Sequence, residues 1–275
     1  MKKIAVIPNY TKDYDKKYTR LLCDYLSGKA QVVMQNIHKQ EDICADFCED
    51  IYTGTDAVII LGGDGTMLQV AEPCGKNKIP VMGINLGKIG FMTEVETADM
   101  ESACDKLLSG DFLVENRMMM DISIKLKDSE SSFIALNDAV IGKQDAQMIG
   151  MEIYANNGKI SEYLADGLII STPTGSTGYS LSAGGPVSDP VLDLFIATPI
   201  CAHTLSARPM LLSPQKDIIL KLNEKGKSEA ILTVDGVNKC IITENDTISI
   251  KKSEYSLRLI KLGKQSFYYT MMAKL

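Results

Sequence analysis

The sequence predicts a two-domain protein in which an α/β N-terminal domain with a parallel sheet precedes a mostly antiparallel, β-rich C-terminal domain. Three observations support this prediction. The first hundred residues alternate apolar runs with helix-like stretches, one of these runs ends in a cluster of glycines, and strict polar-apolar alternation begins after about residue 112. A chain of 275 residues is long enough for one large or two modest domains.

Four apolar runs in the first hundred residues have the length and composition of strands. They alternate with helix-like segments, which is the βαβ pattern of a parallel sheet with loops at its carboxyl edge. The strand candidates are KIAVIP, AQVVMQ, DAVIILGG and IPVMGIN, and the helix candidates between them are YDKKYTRLLCDYLSG and EDICADFCEDIYTG.

The second of these helix candidates has Ile43, Phe47 and Ile51 at helical spacing, which predicts one buried face. Gly54 follows at a position where glycine commonly ends a helix. A further helix, TMLQVAEP, follows the glycine cluster, and Thr66 is expected to cap its N terminus.

Alternating sequences dominate the second half of the chain, where DISIKL, DIILKL, AILTV and TISIK place apolar side chains at every second position. The connections YANNGKI and LNEKGKSEA are rich in turn residues and are expected to be of hairpin type. We place an α/β domain with the glycine motif at residues 1–105 and a β-rich domain at residues 112–262. The C-terminal tail, residues 263–275, is a candidate to return to the first domain.

Composition and charge exclude several classes of protein. Apolar residues make up 45% of the chain and charged residues 23%, as in an ordinary globular protein. No apolar run approaches the roughly 18 residues of a membrane span, and the N-terminal run stops at Pro8 without a cleavage pattern. The net charge of −6 disfavours binding to nucleic acid or to an anionic membrane. A polyanionic ligand would have to be held by backbone amides and a metal ion.

Seven cysteines are scattered without a Cys-x-x-Cys pair, so neither a disulfide framework nor a zinc ribbon is predicted, and a cytoplasmic location fits best. Cys44 and Cys48 stand one helical turn apart, but only His38 and His203 could complete a metal site. Core packing is the favoured interpretation, and we predict no metal-ligating residues.

A glycine-rich turn follows the apolar run VIIL and carries one carboxylate, Asp64. Glycine lets main-chain N–H groups approach phosphate oxygens closely and tolerates positive φ in a strand-to-helix turn. Neither the Walker pattern nor the G-x-G-x-x-G pattern is present. The alternative interpretation is a structural turn in which Asp64 caps the helix. The predicted phosphate loop consists of Gly62, Gly63, Gly65 and Thr66.

The segment ADGLIISTPTGSTGYSLSAGGP, residues 165–186, combines small residues with many hydroxyl groups. Its amides and hydroxyls suit the phosphate and ribose of a nucleotide, and Tyr179 offers a ring that can stack on a base. The alternative interpretation is a flexible surface loop.

The polar pair Asn137 and Asp138 interrupts the apolar strand IALNDAVIG. By strand alternation one of the two faces inward, where a polar group needs a partner. A hairpin turn is the alternative interpretation.

Together these segments resemble the NAD kinase family over nearly the full length of the chain. The resemblance rests on LGGDGT, INLGKIGF, LNDAVI and DGLIISTPTGSTGYSLSAGGP, followed by PICAHTLSARP, in the family's order. The glycine motif alone is shared with phosphofructokinases and with diacylglycerol and sphingosine kinases, so it indicates only a superfamily. The long fourth segment is the specific one.

The resemblance implies transfer of a phosphoryl group from ATP, or in some members from polyphosphate, to the 2′-hydroxyl of the adenosine ribose of NAD, which gives NADP. Such chemistry depends on positioning and charge neutralisation, so a glycine turn, Mg²⁺ or another divalent cation and one carboxylate can suffice. Asp64 would be the catalytic base that accepts the ribose proton. The resemblance also implies a homo-oligomer, a dimer or tetramer, in which a neighbour completes the NAD site.

The same resemblance implies NAD-binding roles for further residues. Asn137 and Asp138 would hold the ribose or the amide of NAD, and Asp166 would bond to its nicotinamide side or a neighbouring ribose. Phe91 would form an apolar wall beside the adenine. The glycine turn would contribute Asp64 and Gly65. The adenine and ribose pocket would be lined by Thr177, Gly178, Tyr179, Ser180, Leu181 and Ser182.

Four positions depart from the family pattern. Asp138 stands where Glu is usual, Gly178 where Ala is frequent, Val237 where Gln helps to bind NAD, and Leu164 where a basic side chain is common. Asp138 and Val237 keep open the alternative of a catalytically silent nucleotide sensor, which binds NAD without turnover. A lipid kinase of the diacylglycerol type is the other alternative, which the segment TGSTGYSLSAGGP disfavours.

Overall fold

A computed structural model of the chain describes residues 2–35, 43–87, 90–126, 129–156, 158–203, 206–226, 229–263 and 267–274. The chain divides into two compact units, the first formed by Met1–Asn116 with Ser256–Leu275 and the second by Arg117–Tyr255. Among the described helices, none has both the length and the apolar character that a membrane crossing requires.

The elements follow the chain in this order. The strands are β1 (Lys3–Pro8), β2 (Gln31–Gln35), β3 (Asp46–Cys48), β4 (Ala57–Gly62), β5 (Pro80–Asn85), β6 (Val95–Glu96), β7 (Leu113–Lys125), β8 (Glu130–Ala135), β9 (Asp138–Gly142), β10 (Ile149–Ala155), β11 (Gly158–Ala165), β12 (Gly167–Ser171), β13 (Phe195–Ile200), β14 (Met210–Leu212), β15 (Ile218–Asn223), β16 (Glu229–Val234), β17 (Val237–Thr243) and β18 (Thr247–Lys261). The helices are α1 (Lys17–Leu26), α2 (Asp64–Lys76), α3 (Met100–Ser109), α4 (Tyr179–Ser182) and α5 (Phe267–Lys274), with 3₁₀ turns at Thr97–Asp99 and Thr174–Thr177.

The first unit contains the predicted parallel sheet, in the order β3-β2-β1-β4-β5 followed by the end of β18, with β6 also against β5. The pairs of these strands are parallel, which confirms the prediction. Strand β4 is buried at every position, and this explains why its sequence is a continuous apolar run. Because β1, β4 and β5 are adjacent and parallel, their carboxyl ends meet at one edge of the sheet.

The helix predicted over EDICADFCEDIYTG is wrong in its described part, which starts at Ile43. Residues 46–48 form β3 instead, paired in parallel with β2, and bends and turns follow. Ile43 and Ile51 are buried as the pattern predicted. Main-chain pairing at the edge of the sheet overrides the short helical pattern, because tertiary context commonly outweighs local propensity.

The expected N-cap role of Thr66 is also wrong. Helix α2 begins at Asp64, with Gly63 as its N-cap residue, so Thr66 lies inside the first turn. Its hydroxyl is buried and instead accepts a 3.0 Å hydrogen bond from the side-chain amide of Asn9. Gly63 has an extended backbone with φ of −141°, so the turn does not use the positive φ that glycine tolerates.

The second unit consists of two sheets with antiparallel pairing, which confirms its β-rich prediction. Their strand orders are β8-β7-β18-β15-β10-β11 and β14-β13-β12-β9-β16-β17. Both sheets contribute to one buried apolar cluster, which includes Met120 and Ile153 from the first and Ile141, Leu168 and Leu232 from the second. Alternate side chains of each sheet therefore share one core, as in a β-sandwich.

The two predicted hairpins have different outcomes. YANNGKI joins β10 to β11, which pair with each other, so this hairpin is confirmed around Asn157, which itself lies outside the described residues. LNEKGKSEA joins β15 to β16, and these strands belong to different sheets, so the second hairpin is wrong. Lys227 and Ser228 of this segment lie outside the described residues. The prediction failed because local turn chemistry does not specify which strand will be the partner.

Candidate functional site

The candidate site of the first unit lies where β1, β4 and β5 end. Asn9, directly after β1, donates its main-chain N–H to the carbonyl of Leu61 at 2.7 Å. Leu86, directly after β5, donates to the carbonyl of Gly62 at 3.0 Å. These hydrogen bonds connect the loops that follow three neighbouring strands, next to the start of α2. Open parallel sheets bind ligands at this edge. The predicted phosphate-loop residues at this edge are Gly62, Gly63, Gly65 and Thr66.

Asp64 is the first residue of α2, and the loop after β5 holds its carboxylate. Its Oδ2 atom accepts a hydrogen bond from the main-chain N–H of Phe91 at 2.8 Å, and its Oδ1 atom accepts one from that of Met92 at 3.0 Å. Each oxygen of an ionised carboxylate can accept more than one hydrogen bond. The loop therefore fixes the orientation of Asp64 while acceptor capacity remains for a ligand.

Gly90 allows this loop to approach the carboxylate closely. A Cβ atom at position 90 would lie 2.7 Å from Cγ of Asp64 and 2.6 Å from Oγ1 of Thr93. Both distances are well inside van der Waals contact, so a larger residue would push the loop away from Asp64. Residues 90–92 thus fit against the carboxylate of LGGDGT through a residue without a side chain.

Lys12 was not predicted as a site residue, yet its ammonium group lies over the glycine turn. Its Nζ atom is 3.0 Å from the position that a Cβ of Gly63 would occupy and 3.9 Å from the corresponding position at Gly87. The part of the chain that the structure describes provides no ion-pair partner for this amine. Lys12 therefore adds positive charge beside the N terminus of α2, where a helix already favours anions.

Phe91, the predicted apolar wall, is half-buried. Its ring centroid lies 5.8 Å from that of Phe267 in α5, and Nζ of Lys274 lies 4.5 Å from the same ring. The C-terminal helix thus contacts Phe91 within the first unit. Gly65 is exposed, and the space where its side chain would stand is open.

In the second unit, the polar pair lies where the chain crosses from β8 in one sheet to β9 in the other. The two strands do not pair, so the hairpin alternative is wrong. The Oδ1 atom of Asn137 is buried without a hydrogen-bond partner among the described residues. Asp138 begins β9 and is only 6% exposed. Unpartnered buried polar groups are rare in folded proteins, so the amide of Asn137 is a candidate for ligand contact.

The segment after β12 packs directly on this crossing. Thr172 donates its main-chain N–H to the carbonyl of Asn137 at 2.8 Å and its hydroxyl to that of Leu136 at 2.5 Å. A Cβ at Gly175 would lie 2.7 Å from the carbonyl carbon of Asn137, so only glycine permits this approach. A Cβ at Gly178 would lie 3.8 Å from Nδ2 of Asn137. The structure therefore brings together two segments that the sequence singled out separately.

The predicted adenine and ribose residues lie around the 3₁₀ turn and α4. Tyr179 is 49% exposed, which leaves its ring free to stack. Ser180 is fully buried, and its hydroxyl lies 2.9 Å from that of Thr198, so this side chain faces the interior of the unit. Among the other predicted residues, the half-buried ones are Thr177, Gly178 and Leu181, and the exposed one is Ser182.

Asp166 forms an ion pair with Lys143, with 2.7 Å between Nζ and Oδ1, and both side chains are 30% exposed. The main-chain N–H of Lys143 also donates to the carbonyl of Asp166 at 2.9 Å. The basic partner of Asp166 thus follows β9, whereas the family pattern places a basic residue at the position of Leu164.

The carboxyl groups of Asp138, which is buried, and Asp235, which is half-buried, influence each other electrostatically. Burial, with a smaller contribution from the charge of Asp235, raises the pKa of Asp138 to about 7. Burial also raises the pKa of Asp235, against the opposing effect of main-chain hydrogen bonds from Leu136, Asp138 and Asn137. A carboxyl group with a pKa near neutrality is partly protonated, so that Asp138 can donate as well as accept a hydrogen bond.

No group of three or more His, Cys, Asp or Glu side chains within the described ranges could hold a metal ion alone. Mg²⁺ at phosphoryl-transfer sites is commonly bound by one or two carboxylates together with the phosphates of the substrate. Asp64 supplies such a carboxylate at the glycine turn. The residues present therefore fit a cation that arrives with a nucleoside triphosphate.

Sequence reasoning missed Lys12 and Asp235. The dipeptide Asp235–Gly236 is a visible hairpin signal, and both residues have positive φ between β16 and β17. The carboxylate of Asp235 binds residues 136–138 because β16 pairs with β9, and no local sequence pattern specifies that pairing. Lys12 follows a strand without any motif of its own.

Comparison with known proteins places both halves of the chain in one family. Residues 9–112 match the family model for the ATP-NAD kinase N-terminal domain, and residues 136–262 match that for the ATP-NAD kinase C-terminal domain. A NAD kinase of Thermoanaerobacter sp. (strain X514) is 39% identical over 281 residues, which cover 100% of this chain and 99% of the relative. A NAD kinase of Acetivibrio thermocellus is 38% identical, with coverage of 100% and 97%.

Solved structures that are similar to the chain include two NAD(H) kinases. Yeast NADH kinase complexed with NADH matches with a TM-score of 0.89 at 23% identity, over 100% of this chain and 87% of the other, and supports the fold. A NAD kinase from Archaeoglobus fulgidus in complex with ATP matches with a TM-score of 0.73 at 25% identity, over 99% and 98% of the two chains.

Proposed function

This chain belongs to the NAD kinase family, and from that premise we propose how its own residues carry out the reaction. The function of the chain is the ATP-dependent phosphorylation of NAD to NADP. The observation that carries the residue-level proposal is the carboxylate of Asp64, fixed by two main-chain N–H groups at the start of α2.

Asp64 acts as the catalytic base in this proposal. It accepts the proton of the 2′-hydroxyl on the adenosine ribose of NAD as that oxygen attacks the terminal phosphoryl group. The hydrogen bonds from Phe91 and Met92 support the role because they hold the carboxylate in one orientation. Preorganisation of this kind avoids the need to order the base during the reaction.

The phosphates of ATP are bound by the glycine turn. The N terminus of α2 favours anions and has no side-chain cap, and the ammonium group of Lys12 supports the same assignment by adding positive charge over Gly63. Mg²⁺ or another divalent cation would be held by Asp64 and the phosphates, and would neutralise the charge on the transferred group. We propose that residues 1–105 form this phosphate-binding domain and that the tail 263–275 returns to it.

NAD binds through the β-rich domain, which we propose to be residues 112–262. The buried amide of Asn137 and the carboxyl of Asp138 bond to the dinucleotide, and the exposed ring of Tyr179 stacks on a base. Ser180 contributes through its main chain, because its hydroxyl is already paired with Thr198. Asp166, steadied by Lys143, bonds to a ribose or to the nicotinamide side. The remaining contacts are proposed for Gly65, Phe91, Thr177, Gly178, Leu181 and Ser182.

The LGGDGT motif supports membership of the superfamily of phosphofructokinases and diacylglycerol kinases, and polyphosphate is a candidate second donor. A cytoplasmic location is consistent with the seven unpaired cysteines.

We propose that the enzyme is a homodimer or a homotetramer. Gel filtration with light scattering tests this directly, and a strictly monomeric active enzyme would contradict it.

A coupled assay for NADP formation tests the function. ATP, other nucleoside triphosphates and polyphosphate are offered in parallel with NAD and Mg²⁺, and diacylglycerol replaces NAD in a second series. We expect NADP with ATP and no phosphorylated lipid. Phosphorylated lipid without NADP would establish the lipid kinase alternative. NAD binding without NADP formation at high enzyme concentration would establish the silent sensor.

A further inference from the structure

The turn between β16 and β17 reaches back to the crossing that carries Asn137. Oδ2 of Asp235 accepts a hydrogen bond from the main-chain N–H of Leu136 at 2.8 Å, and its Oδ1 accepts those of Asn137 at 2.8 Å and Asp138 at 3.0 Å. The main-chain N–H of Asp235 in turn donates to the carbonyl of Asp138 at 3.0 Å. One carboxylate thus binds three consecutive main-chain N–H groups.

These hydrogen bonds fix the backbone of residues 136–138 and thereby the orientation of the side chains of Asn137 and Asp138. The crossing joins two sheets and therefore makes no strand ladder of its own at residues 136 and 137. Without the carboxylate of Asp235, the main-chain N–H groups of the crossing would lack hydrogen-bond partners, and this would destabilise the conformation of the crossing. The left-handed backbone of Asp235, with φ of 46°, followed by Gly236 with φ of 78°, aims the carboxylate at the crossing.

We propose that Asp235 is a positioning residue of the NAD site: it holds Asn137 and Asp138 in the orientation that binds the dinucleotide and sets the charge of Asp138. This inference rests on the proposed function, in which Asn137 and Asp138 contact NAD. Asp235 itself touches no substrate. It acts through the main chain of the crossing and through electrostatic repulsion of the buried carboxyl of Asp138.

The charge effect follows from the groups around the pair. The charge of Asp235 acts on the carboxyl of Asp138, and Lys239 of β17 is the cation that stabilises the charge of Asp235. Burial and, to a smaller extent, the charge of Asp235 oppose ionisation of Asp138, and together they raise the pKa of Asp138 to about 7. Above that pH a second negative charge develops beside a pyrophosphate-bearing ligand, so KM for NAD should rise.

Two substitutions separate the positioning effect from the charge effect. Asp235→Asn leaves only one acceptor oxygen for the main-chain N–H groups, so we expect at least a tenfold higher KM for NAD. Because it also removes the charge, Asp138 should ionise more readily, and the rise of KM with pH should begin at a lower pH than in the wild type. Asp235→Glu keeps the charge but displaces both oxygens by one methylene, so KM should rise without that shift. In both variants KM for ATP should stay within about twofold of the wild-type value.

Asp246→Asn is the matched control. Asp246 is a buried aspartate at another turn of the same unit, where it accepts hydrogen bonds from the main-chain N–H and the hydroxyl of Thr243 at 2.7 and 2.8 Å. We expect its loss to lower the urea midpoint of unfolding without changing KM for NAD. Equal effects of the two Asn variants on KM would overturn the proposal, as would an unchanged KM and pH profile in a folded Asp235→Asn enzyme.

Asn137→Ala distinguishes failure of this inference from failure of the proposed NAD site. If Asn137→Ala leaves KM for NAD unchanged, the proposed site itself is wrong. If Asn137→Ala raises KM and neither Asp235 variant does, the site stands and the positioning role is wrong. Should Asp235→Asn fail to fold, Asp235→Glu decides, because its expected rise in KM with an unshifted pH profile is specific to this role.

Discussion

The Oδ2 atom of Asp64 accepts a 2.8 Å hydrogen bond from the main-chain N–H of Phe91, a residue of a different motif. The bond joins the glycine turn after β4 to the loop after β5. Because these strands are parallel neighbours, their loops meet at one edge of the sheet. The carboxylate proposed as the base is therefore held by a loop that also carries a proposed wall of the adenine pocket.

Asp64→Asn should leave the fold intact while lowering kcat for NADP formation by at least about a hundredfold. The amide keeps an acceptor oxygen for the loop but cannot accept a proton, and loss of a general base typically costs about two to four orders of magnitude in rate. Steady-state kinetics and circular dichroism measure the two effects. Near-normal turnover would remove Asp64 from the role of base.

Gly90→Ala should lower kcat about tenfold or more, because the new Cβ would lie 2.7 Å from Cγ of Asp64 and displace the loop that orients it. Gly142→Ala is the control, since a Cβ there meets nothing within 4 Å. Turnover of both variants is compared at saturating NAD and ATP. Equal activity of the Gly90 variant and wild type would show that the loop does not position the carboxylate.

Lys12→Met should raise KM for ATP about tenfold, since a hydrogen bond to a charged group contributes roughly 1.5–3 kcal/mol. Lys12→Arg should recover part of the loss because it restores the charge. Lys76→Met, at the opposite end of α2 in an exposed ion pair with Glu72, is the control and should have little effect. A KM for ATP that does not respond to Lys12→Met, even at low ionic strength, would contradict the phosphate assignment.

Tyr179→Ala should raise KM for NAD by about fivefold to a hundredfold, because stacking of a base on an aromatic ring contributes roughly 1–3 kcal/mol. The ring is 49% exposed, so its removal should cost little stability. Tyr14, which is 89% exposed in the first unit, provides the control variant Tyr14→Ala. Identical KM values for the two variants would exclude stacking on Tyr179.

Asp138→Asn should stabilise the protein at neutral pH. Because the pKa of Asp138 is raised to about 7, the folded protein holds the proton of this carboxyl more tightly than the unfolded chain does. The stability that this proton provides is fully present below the ordinary pKa of 3.8 and is lost as the pH rises to about 7. The difference in free energy of unfolding between variant and wild type should therefore grow between pH 4 and 7, by on the order of a few kcal/mol, and stay constant above. Urea unfolding across this range measures it.

The control for this prediction is Asp193→Asn, which alters an aspartate whose side chain is 51% exposed and paired with Lys252 at the surface. Its effect on stability should be small at every pH. If the stability difference for Asp138→Asn is the same at pH 4 and pH 7, Asp138 does not titrate as its burial indicates.

Much of the fold follows from local patterns. Continuous apolar runs such as VIILG identified the buried parallel strands, because a strand covered on both faces needs apolar side chains at every position. Alternation identified the strands of the sandwich, where only one face of each sheet meets the core. The short strand β3 was missed because its pairing with β2 is fixed by an edge of the sheet that the segment itself does not encode.

The sequence by itself determined the two kinds of sheet, the glycine turn that carries Asp64, and the family to which these motifs point. Each of these depends on residue types within a few positions of one another. Only the tertiary structure decided that Gly90 lies against Asp64, that Lys12 lies over Gly63 and that Asp235 binds the main chain at Asn137. Those relationships join residues that are distant in the chain, and packing between separate strands, which no local pattern encodes, brings them together.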